Sequence, residues 1–99
     1  MSYTVNFSTA AREDIKRLIR FLSAQDVQAA KSARRAIENS IKLLQEFPFT
    51  CRRSTSDNPF MRELVISFGS TGYVALFEIG DNAMITIVAV RHQREEDFH

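Results

Sequence analysis

Five arginines and one histidine carry the chemistry this chain has to offer. Arg52 and Arg53 stand side by side, and Arg62 opens an alternating apolar stretch. Arg91, His92 and Arg94 follow the dense apolar run Ala83-Met84-Ile85-Thr86-Ile87-Val88-Ala89-Val90. Guanidinium groups grip phosphate or carboxylate oxygens bidentately and stabilise charge building on phosphorus. A histidine titrates near neutrality and can give or take a proton. A buried strand that ends in such residues holds them rigidly. A competing reading pairs Arg62 with Glu63, Glu78 or the acidic tail Glu95-Glu96-Asp97, and leaves His92 as a hydrogen-bonding residue after the strand.

Other chemistries find little footing. His92 and His99 lie apart and Cys51 is alone, so no metal-ligand spacing is present and neither a metal nor a cofactor is expected. Three glycines form no phosphate cradle, and no nucleophile elbow occurs. The lone cysteine cannot form an internal disulfide, which suits a reducing cytoplasm, and no motif around it marks a nucleophile. No run approaches the ~20 apolar residues of a membrane span, and no signal-peptide pattern opens the chain. The net charge of +1 argues against a broadly basic nucleic-acid binder while leaving room for a local patch. Ninety-nine residues with 44% hydrophobic content predict a single domain over 1–99.

The elements that must position these residues follow from periodicity. Tyr3, Val5 and Phe7 alternate with polar residues and predict a short strand. Ser8 is placed to cap a helix, with Glu13 and Asp14 near its positive end and Ile15, Leu18, Ile19 and Leu22 on its apolar stripe. The pattern breaks over Ser23–Gln25. Asp26 then caps a second helix carrying Ala30, Ala33, Ile37, Ile41 and Leu44 at the same period, ended by Pro48. Few residues separate the helices, so they predict an antiparallel hairpin.

Phe49 to Met61 reads as a loop holding Cys51, Arg52 and Arg53. Three strands follow: Arg62 to Phe68, Tyr73 to Ile79 after a turn at Gly69–Gly72, and Ala83 to Val90 after a turn at Gly80-Asp81-Asn82. The last is apolar on both sides and belongs in the middle of a sheet. The expected fold is α+β, in the order β-α-α-β-β-β. A helical hairpin covers one face of a mainly antiparallel four-stranded sheet. In this arrangement Arg62 and Arg91 are expected along one rim, roughly 10 Å apart at two strand spacings, with Arg52 and Arg53 reaching the same edge. Phe98 is expected to anchor the tail on the sheet. Arg12, Lys16, Arg17 and Arg20 form a basic helix face, solvated or docking an acidic segment.

The element order, the helix end Phe47-Pro48, the string Arg62-Glu63-Leu64-Val65, the strand start Gly72-Tyr73-Val74 and the ending Ala89-Val90-Arg91-His92-Gln93-Arg94-Glu95 together resemble the RelE/ParE toxin superfamily of type II toxin–antitoxin modules. The resemblance spans nearly the whole chain, and the Arg-His-Gln-Arg-Glu ending is similar to the ParE plasmid-stabilisation branch. It implies one of two activities. RelE-like members cleave messenger RNA in the ribosome, and Arg62, Arg91 and His92 would then be catalytic. ParE-like members inhibit DNA gyrase and block replication.

Phe98 stands where the nuclease branch usually has a C-terminal tyrosine, and the loop offers arginines but no lysine; arginine is a poor general base. The resemblance therefore implies a gyrase-directed toxin, with the nuclease, or a non-toxic antitoxin-binding relic, as alternatives. Arg52, Arg53, Arg62, Arg91, His92, Arg94 and Phe98 are the candidate target-binding residues. An antitoxin partner is implied in each case, and Arg17, Arg20, Arg34 and Arg35 are the candidates to meet its acidic segment.

Overall fold

A computed structural model describes residues 2–53, 60–68 and 71–92. The chain is α+β: β1 (Thr4–Phe7), α1 (Thr9–Gln25), α2 (Val27–Glu46), a 3-10 turn (Pro48–Thr50), β2 (Arg52–Arg53), β3 (Met61–Phe68), β4 (Thr71–Ile79) and β5 (Met84–His92). The five strands form one sheet in the order β1-β5-β4-β3-β2, with β1 parallel to β5 and the other pairings antiparallel. β5 is an interior strand with neighbours on both sides, while β4 and not β5 lies in the middle of the sheet.

Ser8 caps α1, its hydroxyl accepting from the Ala11 N–H at 3.0 Å. Asp26 closes α1 through its own N–H to Leu22 and opens α2 by accepting from Gln28. One residue thus makes the whole hairpin bend, and α1 runs through Gln25 where periodicity alone marked a break. The hairpin lays Ala11, Leu18, Ala33, Ile37 and Leu44 onto Leu64, Ile66, Tyr73, Ala75, Phe77, Ile85, Ile87 and Val90. Small residues at the helix contacts let the layers close to interior packing density.

The sheet differs from expectation in four places. A fifth strand, β2, lies where a loop was expected; its two residues are exposed and charged, so no alternation announces it. β4 begins at Thr71, which puts Gly72 inside the strand instead of in a turn. β5 extends to His92, so Arg91 and His92 belong to the strand and do not follow it. Ala83 leaves the strand: it and Asn82 both have φ of 57°, and the Met84 N–H bonds Asp81 O at 3.2 Å, which makes the β4–β5 connection a type I′ turn.

Two substitutions should move stability in opposite directions. A Cβ on Gly72 would sit 2.3 Å from the Ile66 carbonyl oxygen, so Gly72→Ala is expected to cost about 1–3 kcal/mol by forcing two strands apart. Ala83→Gly relieves a left-handed residue that carries a Cβ and should stabilise by about 1 kcal/mol. Denaturant midpoints of the two variants check both signs.

Candidate functional site

The register separates the arginines that the sequence placed on one rim. Arg62 pairs with Phe77 and Arg91 with Val74 across the intervening β4. Positions 77 and 74 are three apart, so the two arginines project from opposite faces of the sheet and are offset by about 10 Å along it, besides two strand spacings. The reason is direction: β3 and β5 both run antiparallel to β4, so the start of one and the end of the other lie at opposite ends.

Arg62 is on the helix-covered face, beside the 3-10 turn. Its Nη1 donates to the carbonyl oxygens of Cys51 at 2.8 Å and Phe49 at 3.5 Å, and its guanidinium lies over the Phe49 ring, 5.3 Å from the centroid. Phe49 is 60% exposed and meets Tyr3 edge-on. Arg62 therefore ties the segment after α2 to the sheet. Arg53 is its cross-strand partner, exposed, with no carboxylate facing it among the described residues. Arg52, one residue earlier, faces the other side and forms a 2.7 Å ion pair with Glu63, a carboxylate only 7% exposed. Cys51 is half-buried; burial raises its thiol pKa, and the nearby Arg62 charge offsets part of that rise.

The other end of the sheet holds an aromatic group. Tyr73 stacks on Phe68 with centroids 5.9 Å apart and meets the His92 ring edge-on at 5.8 Å. Burial raises the Tyr73 pKa. His92 thus faces an aromatic wall on the helix side, and its strand neighbour Arg91 faces the opposite side. The two residues share a strand end and no common cleft. Arg94 and Phe98 lie outside the described residues.

Arg17, Arg20, Arg34 and Arg35 are exposed on the helical hairpin. Arg17 lies 3.6 Å from Asp14. Arg34 borders a groove of about 530 Å³ with an apolar floor of Phe7, Ile15, Ile37 and Ile41 and a charged rim that includes Glu38 and Lys42. Among the described residues no three His, Cys, Asp or Glu side chains gather as metal ligands, and no helix is long and apolar enough to cross a membrane. Sequence reasoning missed Phe49 as the platform for Arg62 and Tyr73 as the neighbour of His92. The β4–β5 register brings Tyr73 to His92, and the 3-10 turn after α2 brings Phe49 to Arg62; neither meeting shows along the chain.

Comparison with known proteins identifies the family and the fold. A sequence model of the ParE toxin of the type II toxin–antitoxin system parDE matches residues 5–97. Toxin RelE1 of Caulobacter vibrioides is 33% identical over 87 residues, covering 87% of this chain and 90% of the relative. Among solved structures, the chromosomal ParDE toxin–antitoxin system of P. aeruginosa superposes with a TM-score of 0.72 over 92% of this chain and 96% of that one, at 17% identity. The RelBE2 toxin–antitoxin complex of Mycobacterium tuberculosis gives 0.63 over 94% and 100%, at 24% identity. At these identities the solved structures share the fold.

Arg52→Ala should cost about 1–3 kcal/mol by leaving the Glu63 carboxylate buried and unpaired, whereas Arg53→Ala should stay within ~0.5 kcal/mol. Paired thermal melts distinguish them, and equal losses would refute the assignment. Because its pKa is raised, Cys51 should alkylate more slowly at pH 8 in the folded chain than in urea. Arg62→Ala removes the charge that favours the thiolate and should slow the folded reaction further; faster alkylation in a variant that remains folded would contradict that electrostatic role.

Proposed function

The chain belongs to the ParE toxin family of type II toxin–antitoxin systems, and on that premise we propose that it arrests growth by binding and inhibiting DNA gyrase until a cognate antitoxin neutralises it. The observation that carries this reading is the dispersal of the guanidinium groups. Phosphodiester cleavage needs an acid, a base and charge-stabilising donors gathered around one phosphate. Here Arg62 is committed to backbone carbonyls, Arg52 to Glu63, and Arg91 to the face opposite Arg62. A toxin whose polar groups are held apart on a rigid sheet is suited to occupy a partner's surface. Arg53, Arg91 and His92 are its described contact candidates, with Arg94 and Phe98 beyond them.

The antitoxin fits the helical hairpin. An apolar floor between β1, α1 and α2, bordered by Arg34, Lys42 and Glu38, suits a segment that carries apolar and acidic residues, with the exposed Arg17, Arg20 and Arg35 elsewhere on the hairpin as further candidate contacts. The partner and the target are both cytoplasmic in this reading. A relative named RelE favours a second one, a ribosome-dependent messenger endoribonuclease in which Arg62, Arg91 and His92 act on RNA. That reading requires residues on two sheet faces to converge.

Purified chain should inhibit negative supercoiling by gyrase in vitro, and Arg91→Ala should weaken the inhibition at least several-fold. Unchanged supercoiling at a large molar excess of the chain sinks the gyrase assignment.

A further inference from the structure

β5 is flanked by strands on both sides only as far as Ile87. β4 accompanies it from Ile79 to Tyr73, but β1 stops at Phe7, opposite Ile87. From Ser8 the chain leaves the sheet and becomes α1. The next outward-facing backbone groups of β5, the Val88 carbonyl and the Val90 N–H, therefore have no strand to meet. Both are satisfied by side chains from the start of α1: Ser8 Oγ donates to Val88 O at 3.1 Å, and Asp14 Oδ2 accepts from Val90 N at 2.9 Å.

The two bonds bracket an irregularity in the register. Leu76 pairs with Ala89 and Phe77 with Ile87, so Val88 is the extra residue of a β-bulge. Everything downstream owes its orientation to that extra residue. One position of slip would carry Arg91 to the helix-covered face and move His92 away from Tyr73. Core packing favours the observed register, because a slip would replace the buried Val90 by Ala89 and turn Arg91 onto the core face. The outer edge reinforces that choice, where Ser8 and Asp14 recognise one carbonyl and one N–H two residues apart. Asp14 supplies a charge-assisted bond, stronger than a neutral one. Ser8 spends both capacities of its hydroxyl, accepting from Ala11 and donating to Val88.

We propose that Ser8 and Asp14 are positioning residues for target binding: a clamp from α1 that fixes the bulge in β5 and so holds Arg91 on the face away from the helices and His92 against Tyr73 in their working register. This rests on the reading of the β5 end as the surface that meets the target. The clamp also joins two functional faces, because the same Asp14 carboxylate lies 3.6 Å from the Arg17 guanidinium on the exposed basic side of α1.

The test uses the full chain with Asp14→Ala, Asp14→Asn and Arg91→Ala. Amide exchange is measured at Val90, with Ile85 as an internal control, and growth arrest is scored against the intracellular amount of each variant. Asp14→Ala should speed Val90 exchange about tenfold with Ile85 unchanged, and should raise the amount needed for arrest. Asp14→Asn keeps an acceptor oxygen and should recover most of both effects. Rescue by a neutral acceptor is a result that loss of bulk stability does not produce. Val90 exchange unaltered in Asp14→Ala overturns the clamp, and so does accelerated exchange with arrest unaffected while Arg91→Ala abolishes it. If Arg91→Ala itself leaves arrest untouched, the β5 end is not the target surface, and the positioning role falls with that reading.

Discussion

β5 must be hydrogen-bonded along both edges, yet its neighbour on one side is only four residues long. Its side chains fill the core on one face and are half-buried on the other, so an unpaired outer edge would leave partly buried backbone groups unsatisfied at a cost of about 1–3 kcal/mol per group. The fold answers in two stages. β1 runs parallel to the first half of β5, and the helix that continues β1 serves the second half with a serine and an aspartate. The first and last strands are thereby joined, and α1 cannot shift without disturbing β5.

The same topology decides what the polar residues can do. An antiparallel meander sends the start of its first strand and the end of its third to opposite ends, and pairing parity sends Arg62 and Arg91 to opposite faces. Arg62 then becomes a tether for the segment after α2, and Arg52 neutralises a buried glutamate. In the proposed reading, partners meet two regions: the basic, grooved helical hairpin and the end of β5. A protein so arranged can hold an inhibitor on one surface and a target on another.

Much of this was readable in the residues. Period-two and period-3.6 patterns located β1, both helices and the three long strands, and the apolar run 83–90 marked β5 as an inner strand, although β4 takes the middle position. Ser8 and Asp26 announced the caps that they make. The unreadable parts share one physical cause, which is that they are decided between elements. β2 has no apolar pattern because it is a two-residue edge fragment whose side chains are both exposed and charged. The bulge at Val88 cannot be seen in a run where every residue is apolar or small. The supposed rim of Arg62 and Arg91 failed because counting strand starts and ends ignores parity and direction. Asp14, read as a helix-dipole residue, turned out to hold the backbone of a strand 76 positions away.

Two activities are carried by this superfamily's fold, so the fold does not select between them; the placement of the side chains supports action by binding. The most direct measurement is induction of the chain in cells lacking the antitoxin, following a DNA-damage reporter and amino-acid incorporation in parallel. The account predicts that the reporter rises while protein synthesis continues through the first division time. Immediate arrest of incorporation with cleaved messenger and a silent reporter would contradict it.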